Sequence, residues 1–136
     1  MCKNSVEKVE YSMTKVLLDT DVVINILKKK EETLKRLHVL SDCVFYLSPI
    51  VIAEVYAGAR SKEIEQIEEL FSFFTVVDVC ADIGMITGQY AHTYKKAFNG
   101  ISLEDYMIAA TAKHHNLLLW TYNKKHYPMK DIGFLY

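Results

Sequence analysis

The chain is poor in the residues that would commit it to a specialised class. It has three cysteines, Cys2, Cys43 and Cys80, odd in number, widely spaced and without a CxxC pair. That spacing suggests neither a zinc site nor a disulfide framework, and it suits a reducing compartment such as the cytoplasm. No apolar stretch reaches the ~18 residues of a membrane span. Residues 1–13 are polar and charged and lack the apolar core of a secretory leader, so they read as a loose extension ahead of one folded domain, residues 14–136. Neither sign of charge dominates. The formal net charge of −1 excludes a strongly basic nucleic-acid coat but leaves room for a local basic rim, with Lys28-Lys29-Lys30, Lys95-Lys96 and Lys124-Lys125 as candidates. There is no internal repeat, linker or low-complexity segment. The remainder, 51% apolar and 24% charged over 136 residues, is the composition of a single globular domain able to bury a core.

Strands and helices alternate along the chain. Val16 to Leu18 is a short continuous apolar run, as in a strand buried on both faces. Asp21 is placed to cap a helix over 22–30, and Leu34, Leu37 and Leu40 mark an amphipathic helix over 31–41. A strand over 44–47 leads into Ser48-Pro49 and a helix to Ala59, with proline in the first turn, where its missing N–H does no harm. A further helix begins at Ser61 and reaches Phe74. A strand over 75–79 follows, then a long helix over 81–98 ended by Asn99-Gly100. A helix over 103–115, a strand over 117–120 and an edge strand over 132–135 complete the reading. Such alternation implies an α/β fold, a mostly parallel central sheet of four to five strands with helices on both faces.

Carboxylates sit at the ends of separate elements: Asp19 and Asp21 after the first strand, Glu54 within the third helix, and Asp105 at the start of the helix before the last strand. Parallel sheets bind ligands beyond the C-terminal ends of their strands. Two like charges about 4 Å apart repel by roughly 4 kcal/mol at an effective dielectric near 20. A divalent ion that prefers oxygen ligands, Mg²⁺ or Mn²⁺, turns that repulsion into coordination. Taken singly, Asp19 and Asp21 read as strand-end caps, Glu54 as a solvated helix residue and Asp105 as a helix start; the joint pattern points to a metal site. His114 and His115 end a helix, where a cation suits the dipole. Trp120, Tyr122 and Tyr127 read first as packing residues and second as platforms for RNA bases.

Four motifs in order, Leu17-Leu18-Asp19-Thr20-Asp21-Val22-Val23-Ile24, Glu54-Val55-Tyr56-Ala57-Gly58, Asp105-Tyr106-Met107-Ile108-Ala109-Ala110-Thr111-Ala112 and Thr121-Tyr122-Asn123-Lys124-Lys125-His126-Tyr127, resemble the signature of the PIN domain, in particular the VapC-type toxins of toxin–antitoxin pairs. The resemblance runs from residue 15 to about residue 135. It implies a PIN-like three-layer fold and a Mg²⁺- or Mn²⁺-dependent ribonuclease with Asp19, Glu54 and Asp105 as its acidic metal residues. Asp21 would add a ligand through water or cap its helix. Thr121 and Asn123 would orient the carboxylates. His126 stands where many such domains have an acid, and becomes a candidate phosphate contact or proton carrier. The resemblance also implies a homodimer held by a VapB-like antitoxin; the apolar faces of the helices over 31–41 and 61–74 offer places for an antitoxin helix to dock. Two other readings compete. Asp19-Thr20-Asp21 fits the nucleophile motif of haloacid-dehalogenase-like phosphatases, and a PIN fold could serve as a non-catalytic binding module.

Overall fold

The computed structural model describes residues 13–136, so the expected extension lies outside the described residues, Met13 apart. Strand β1 (Thr14–Leu18) carries Val16, Leu17 and Leu18, all fully buried. A strand this apolar belongs at the centre of a sheet. It pairs in parallel with β2 (Cys43–Leu47) on one side and β4 (Leu118–Trp120) on the other, and β3 (Thr75–Val76) adds to the far side of β2. The order is β3-β2-β1-β4. Both exposed residues of β3 follow from its place at the rim. The strand expected over 75–79 shortens to this pair, and Val77 then adds one more hydrogen bond to Leu47.

Among the described residues, six α-helices complete the α/β three-layer fold. Helix α1 (Thr20–Leu27) packs on α2 (Glu31–Val39), α3 (Pro49–Ala57) and α4 (Ile64–Phe71), and α5 (Ala81–Tyr94) packs on α6 (Leu103–His115). Most elements fall where the patterning puts them. Helix α1, however, starts two residues earlier than expected because Asp19, not Asp21, is its N-cap. The lysine run does not continue it: Lys28 is the C-cap and Lys29 has φ 56°, a left-handed backbone that breaks the helix. Helix α5 stops at Tyr94 rather than 98. The expected fifth strand reduces to a single parallel bridge, Leu119 to Phe134, because only Leu119 exchanges hydrogen bonds with the segment, through Gly133 and Leu135.

Helix α6 is buried along Ala109, Ala110 and Ala112, and these small side chains let it lie close to its neighbours. Ser102 and Asp105 form a reciprocal capping box at its start. At its end, His115 is fully buried, with Nε2 3.3 Å from the Asp78 carbonyl oxygen, which can only accept. Burial lowers its pKa below the ordinary histidine value, so the helix end carries a neutral ring there instead of the expected cation. Asn116 then leaves the helix at φ 55°, ψ 54°. That conformation costs other L-residues roughly 1–2 kcal/mol, while glycine adopts it freely. Asn116→Ala should therefore lower unfolding stability by about 1 kcal/mol in chemical denaturation, while Asn116→Gly should stay near wild type.

Candidate active site

A cleft of about 410 Å³ opens beyond the C-terminal ends of β1 and β4, and Asp19, Asp21, Glu54, Asp105, Asn123 and His126 all contribute to its lining. Asp19 stands at its floor, 6% exposed. Its main chain is tied to β4 by a 3.0 Å bond from Asp19 N–H to the Trp120 carbonyl. Its carboxylate accepts three hydrogen bonds. Thr20 N–H donates to Oδ1 at 2.8 Å, while the hydroxyls of Thr121 and Tyr127 donate to Oδ2 at 2.7 and 2.9 Å. A carboxylate has about four lone-pair sites. Oδ2 is thus filled, and Oδ1 keeps one for a ligand.

The other acids arrive from different elements. Glu54 projects from the second turn of α3 and is exposed at the rim, where Thr20 Oγ1 donates to Oε1 at 2.8 Å. Asp105 comes from the first turn of α6, where its Oδ2 accepts from Ser102 N–H at 3.2 Å and lies 3.1 Å from His126 Nδ1. Asn123 Nδ2 lies 2.9 Å from the same His126 nitrogen. That nitrogen satisfies one partner at a time: protonated it donates to Asp105, unprotonated it accepts from Asn123. Asp21 is the second residue of α1. Its Oδ2 accepts from Tyr122 N–H at 3.0 Å, so it clamps the loop after β4 instead of capping the helix; its Oδ1 is buried without a hydrogen-bond partner.

Burial and mutual repulsion oppose ionisation here. Desolvation raises the pKa of Asp19 against its three hydrogen bonds, and the charge of Asp105 adds to the rise. Burial, then the Asp19 charge, pushes Asp21 up to about 6. Glu54 is also raised, by desolvation and by the charges of Asp19 and Asp105, with the Thr20 hydroxyl opposing. Tyr127 is raised as well, by burial and by the neighbouring carboxylate charges, which keeps its hydroxyl a donor. All four carboxylates offer oxygen ligands, the donor set suited to Mg²⁺ or Mn²⁺. They share one cleft without closing into a tight triad. Among the described residues, the group of three whose ligand atoms lie within 4.8 Å of one another is Cys80, Asp82 and His114, elsewhere in the molecule.

The three acids expected to converge, Asp19, Glu54 and Asp105, are thus brought to one cleft. Thr121 hydrogen-bonds a carboxylate directly. Asn123 does so only through others, since its N–H donates to Thr121 Oγ1 at 3.0 Å and its side chain meets His126. Two contributors escaped the sequence reading. Thr20 holds Glu54, and Tyr127 holds Asp19; both lie within the motif segments, but neither was expected to have a role in the site. Tyr127 and Trp120, 3% and 1% exposed, are packing residues and unavailable for base stacking, whereas Tyr122 remains accessible, its hydroxyl 2.8 Å from Thr33 Oγ1.

A parallel four-stranded sheet with an acidic cleft at its carboxyl edge defines a class, and comparison with known proteins assigns the family. Residues 16–134 match the PIN domain, and the chain belongs to that family. This removes the haloacid-dehalogenase reading. The chain is 39% identical over 82 residues to ribonuclease VapC19 of Mycobacterium tuberculosis, covering 60% of this chain and 66% of that protein, just under two thirds of its length. It is 32% identical over 115 residues to ribonuclease VapC10 of the same organism, covering 84% of this chain and 86% of that protein. The solved structure of VapBC-1 from nontypeable Haemophilus influenzae superposes with a TM-score of 0.74 at 26% identity, over 89% of this chain and 96% of that one.

The electrostatics make a prediction that needs no substrate. The folded pKa of Asp21 lies near 6, above its ordinary 3.8, so without a cation the folded chain holds a proton that the unfolded chain has lost. That contribution is present below the ordinary value and is lost as pH rises through about 6. Asp21→Asn should therefore gain melting temperature relative to wild type as pH rises from about 4, levelling off above about 7. A pH-independent difference between the two proteins would contradict the assignment.

Proposed function

We propose that this chain is a Mg²⁺- or Mn²⁺-dependent endoribonuclease and the toxin of a type II toxin–antitoxin pair. The observation that carries the reading is the cleft, with Asp19, Asp21, Glu54 and Asp105 at the carboxyl edge of the sheet of a PIN domain. The site fits a hard cation by the chemistry of its donors, and the buried, partnerless Oδ1 of Asp21 supports the same conclusion. Asp19, Glu54 and Asp105 would hold the ion, with Asp21 reaching it directly or through water. When bound, such an ion supplies Lewis acidity and charge shielding for hydrolysis of an RNA phosphodiester by water.

The chain's own residues supply positioning. Thr121 and Tyr127 occupy Oδ2 of Asp19 and leave Oδ1 toward the cation. Thr20 fixes one oxygen of Glu54, and His126 and Ser102 share Oδ2 of Asp105. Protonated at Nδ1, His126 gives its proton's hydrogen bond to Asp105 and partly offsets that charge. Lys125, exposed in the short 3₁₀ turn beside His126, would give the cleft a basic rim for a phosphate backbone, while Lys124 Nζ lies 5.3 Å from the Phe134 ring centroid.

On purified protein with Mg²⁺ or Mn²⁺ and mixed RNA, Asp19→Asn should lower cleavage at least ~100-fold. Tyr127→Phe, which removes one hydrogen bond to the same carboxylate, should lower it about 10-fold and weaken the response to metal. Equal cleavage by wild type and Asp19→Asn would end the catalytic reading and leave a binding module.

A VapB-like antitoxin and a second copy of the chain are the proposed partners; toxin–antitoxin complexes among the structural relatives support the first. Leu37 and Leu40, expected at the antitoxin face, are packed against the core. The accessible apolar residues of α2 are Leu34 and Val39, beside a groove of about 590 Å³. Co-expression with the cognate antitoxin tests this surface. Val39→Glu should abolish co-purification while leaving melting temperature near wild type.

A further inference from the structure

We propose that Cys80, Asp82 and His114 form a binding site for a zinc-class cation at the end of the α5–α6 pair remote from the carboxylate cleft. The inference does not depend on the ribonuclease reading. Asp105 and His114 lie nine residues apart on α6, about 14 Å along its axis, so the two sites occupy opposite ends of one helix.

The packing of α5 on α6 builds the cluster. Cys80 is the residue before α5, with an extended backbone at φ −118°, ψ 178°, and Asp82 lies in the first turn of that helix. His114 lies in the last turn of α6. The two helices bring Cys80 Sγ to 3.9 Å from His114 Nε2 across 34 residues of sequence. One ligand atom from each of the three residues lies within 4.8 Å of the others. A tetrahedral zinc ion, with sulfur at about 2.3 Å and nitrogen at 2.0–2.1 Å, sets those two ligand atoms about 3.6 Å apart. The observed separation needs to close by only a few tenths of an ångström.

The surroundings suit such a site. The His115 ring packs edge-on against His114, with centroids 4.9 Å apart and planes at 82°, and His115 is itself anchored by the Asp78 carbonyl, so the His114 ring is held from behind. The neighbouring cation, Lys113, is engaged elsewhere, 2.6 Å from Asp131. All three ligands are half-buried, which leaves an entry path and a fourth position for solvent. Sulfur and imidazole donors select a borderline-soft ion, whereas the all-oxygen cleft selects a hard one, so the two sites sort metals by donor type. On binding, the Cys80 thiol would release its proton to solvent, and the ion would staple the start of α5 to the end of α6.

The test uses the full chain, reduced and stripped of metal, with excess Mg²⁺ present to engage the carboxylate cleft. Titration with Co²⁺ should produce thiolate-to-cobalt charge-transfer absorption that saturates at one equivalent and is bleached by Zn²⁺. Cys80→Ser should abolish the band. His114→Ala and Asp82→Asn, the latter a mild change should Cys80→Ser fold poorly, should each weaken binding at least ~10-fold. Cys2→Ser and Cys43→Ser should leave it intact. Zn²⁺ should raise the melting temperature of wild type and of Asp19→Asn alike. Absence of the band, its survival in Cys80→Ser, or a zinc-induced rise that vanishes in Asp19→Asn would each overturn the proposal.

Discussion

The architecture of the site depends on how one buried carboxylate is satisfied. An ionised group out of water costs several kcal/mol unless hydrogen bonds replace its hydration. Asp19 receives three, from the start of α1, from the residue after β4 and from a tyrosine six residues later. Those donors come from segments about 100 residues apart in the chain. The same residue joins the backbone of β1 to β4 through the Trp120 carbonyl. The interaction that makes Asp19 tolerable thereby fixes the end of the central strand, the entry angle of α1 and the loop that carries Asn123, His126 and Tyr127.

Gathering further acids around that point sets two requirements against each other. The sheet needs Asp19 and Asp21 at the junction of β1 and α1 to hold the β4 loop, while Glu54 and Asp105 add charge within electrostatic range. Hydroxyl and amide donors offset part of the cost but leave the pKa values of Asp19, Asp21 and Glu54 raised. It is the arrangement that the proposed cation would relieve. The supporting donors are neutral; a lysine or arginine in place of Thr121 or Tyr127 would neutralise the acids and compete with the proposed cation.

Helix α6 shows how one element serves two ends of the molecule. Its small buried residues allow close packing, its first turn delivers Asp105 to the cleft, and its last turn places His114 and His115 against the start of α5. The two ends differ in chemistry because the neighbours differ. Oxygen donors collect where the strands end, and sulfur and nitrogen donors collect where α5 begins.

Periodicity and turn chemistry made much of this legible. The apolar run Val16–Leu18 and the Ser48-Pro49 start are local signals, and local signals survive without knowledge of the fold. The order of the acidic motifs likewise pointed to one site. Tertiary structure alone decided that Asp19 caps α1 while Asp21 clamps Tyr122, that Tyr127 supports Asp19, that Glu54 stands at the rim, and that Cys80 meets His114. The physical reason is the same in each case. Propensity, capping preference and hydrophobic pattern act over a few residues, whereas a hydrogen bond between Tyr127 and Asp19, or a thiol beside an imidazole 34 positions away, exists only after parallel strands and packed helices have brought distant segments within 3 to 4 Å.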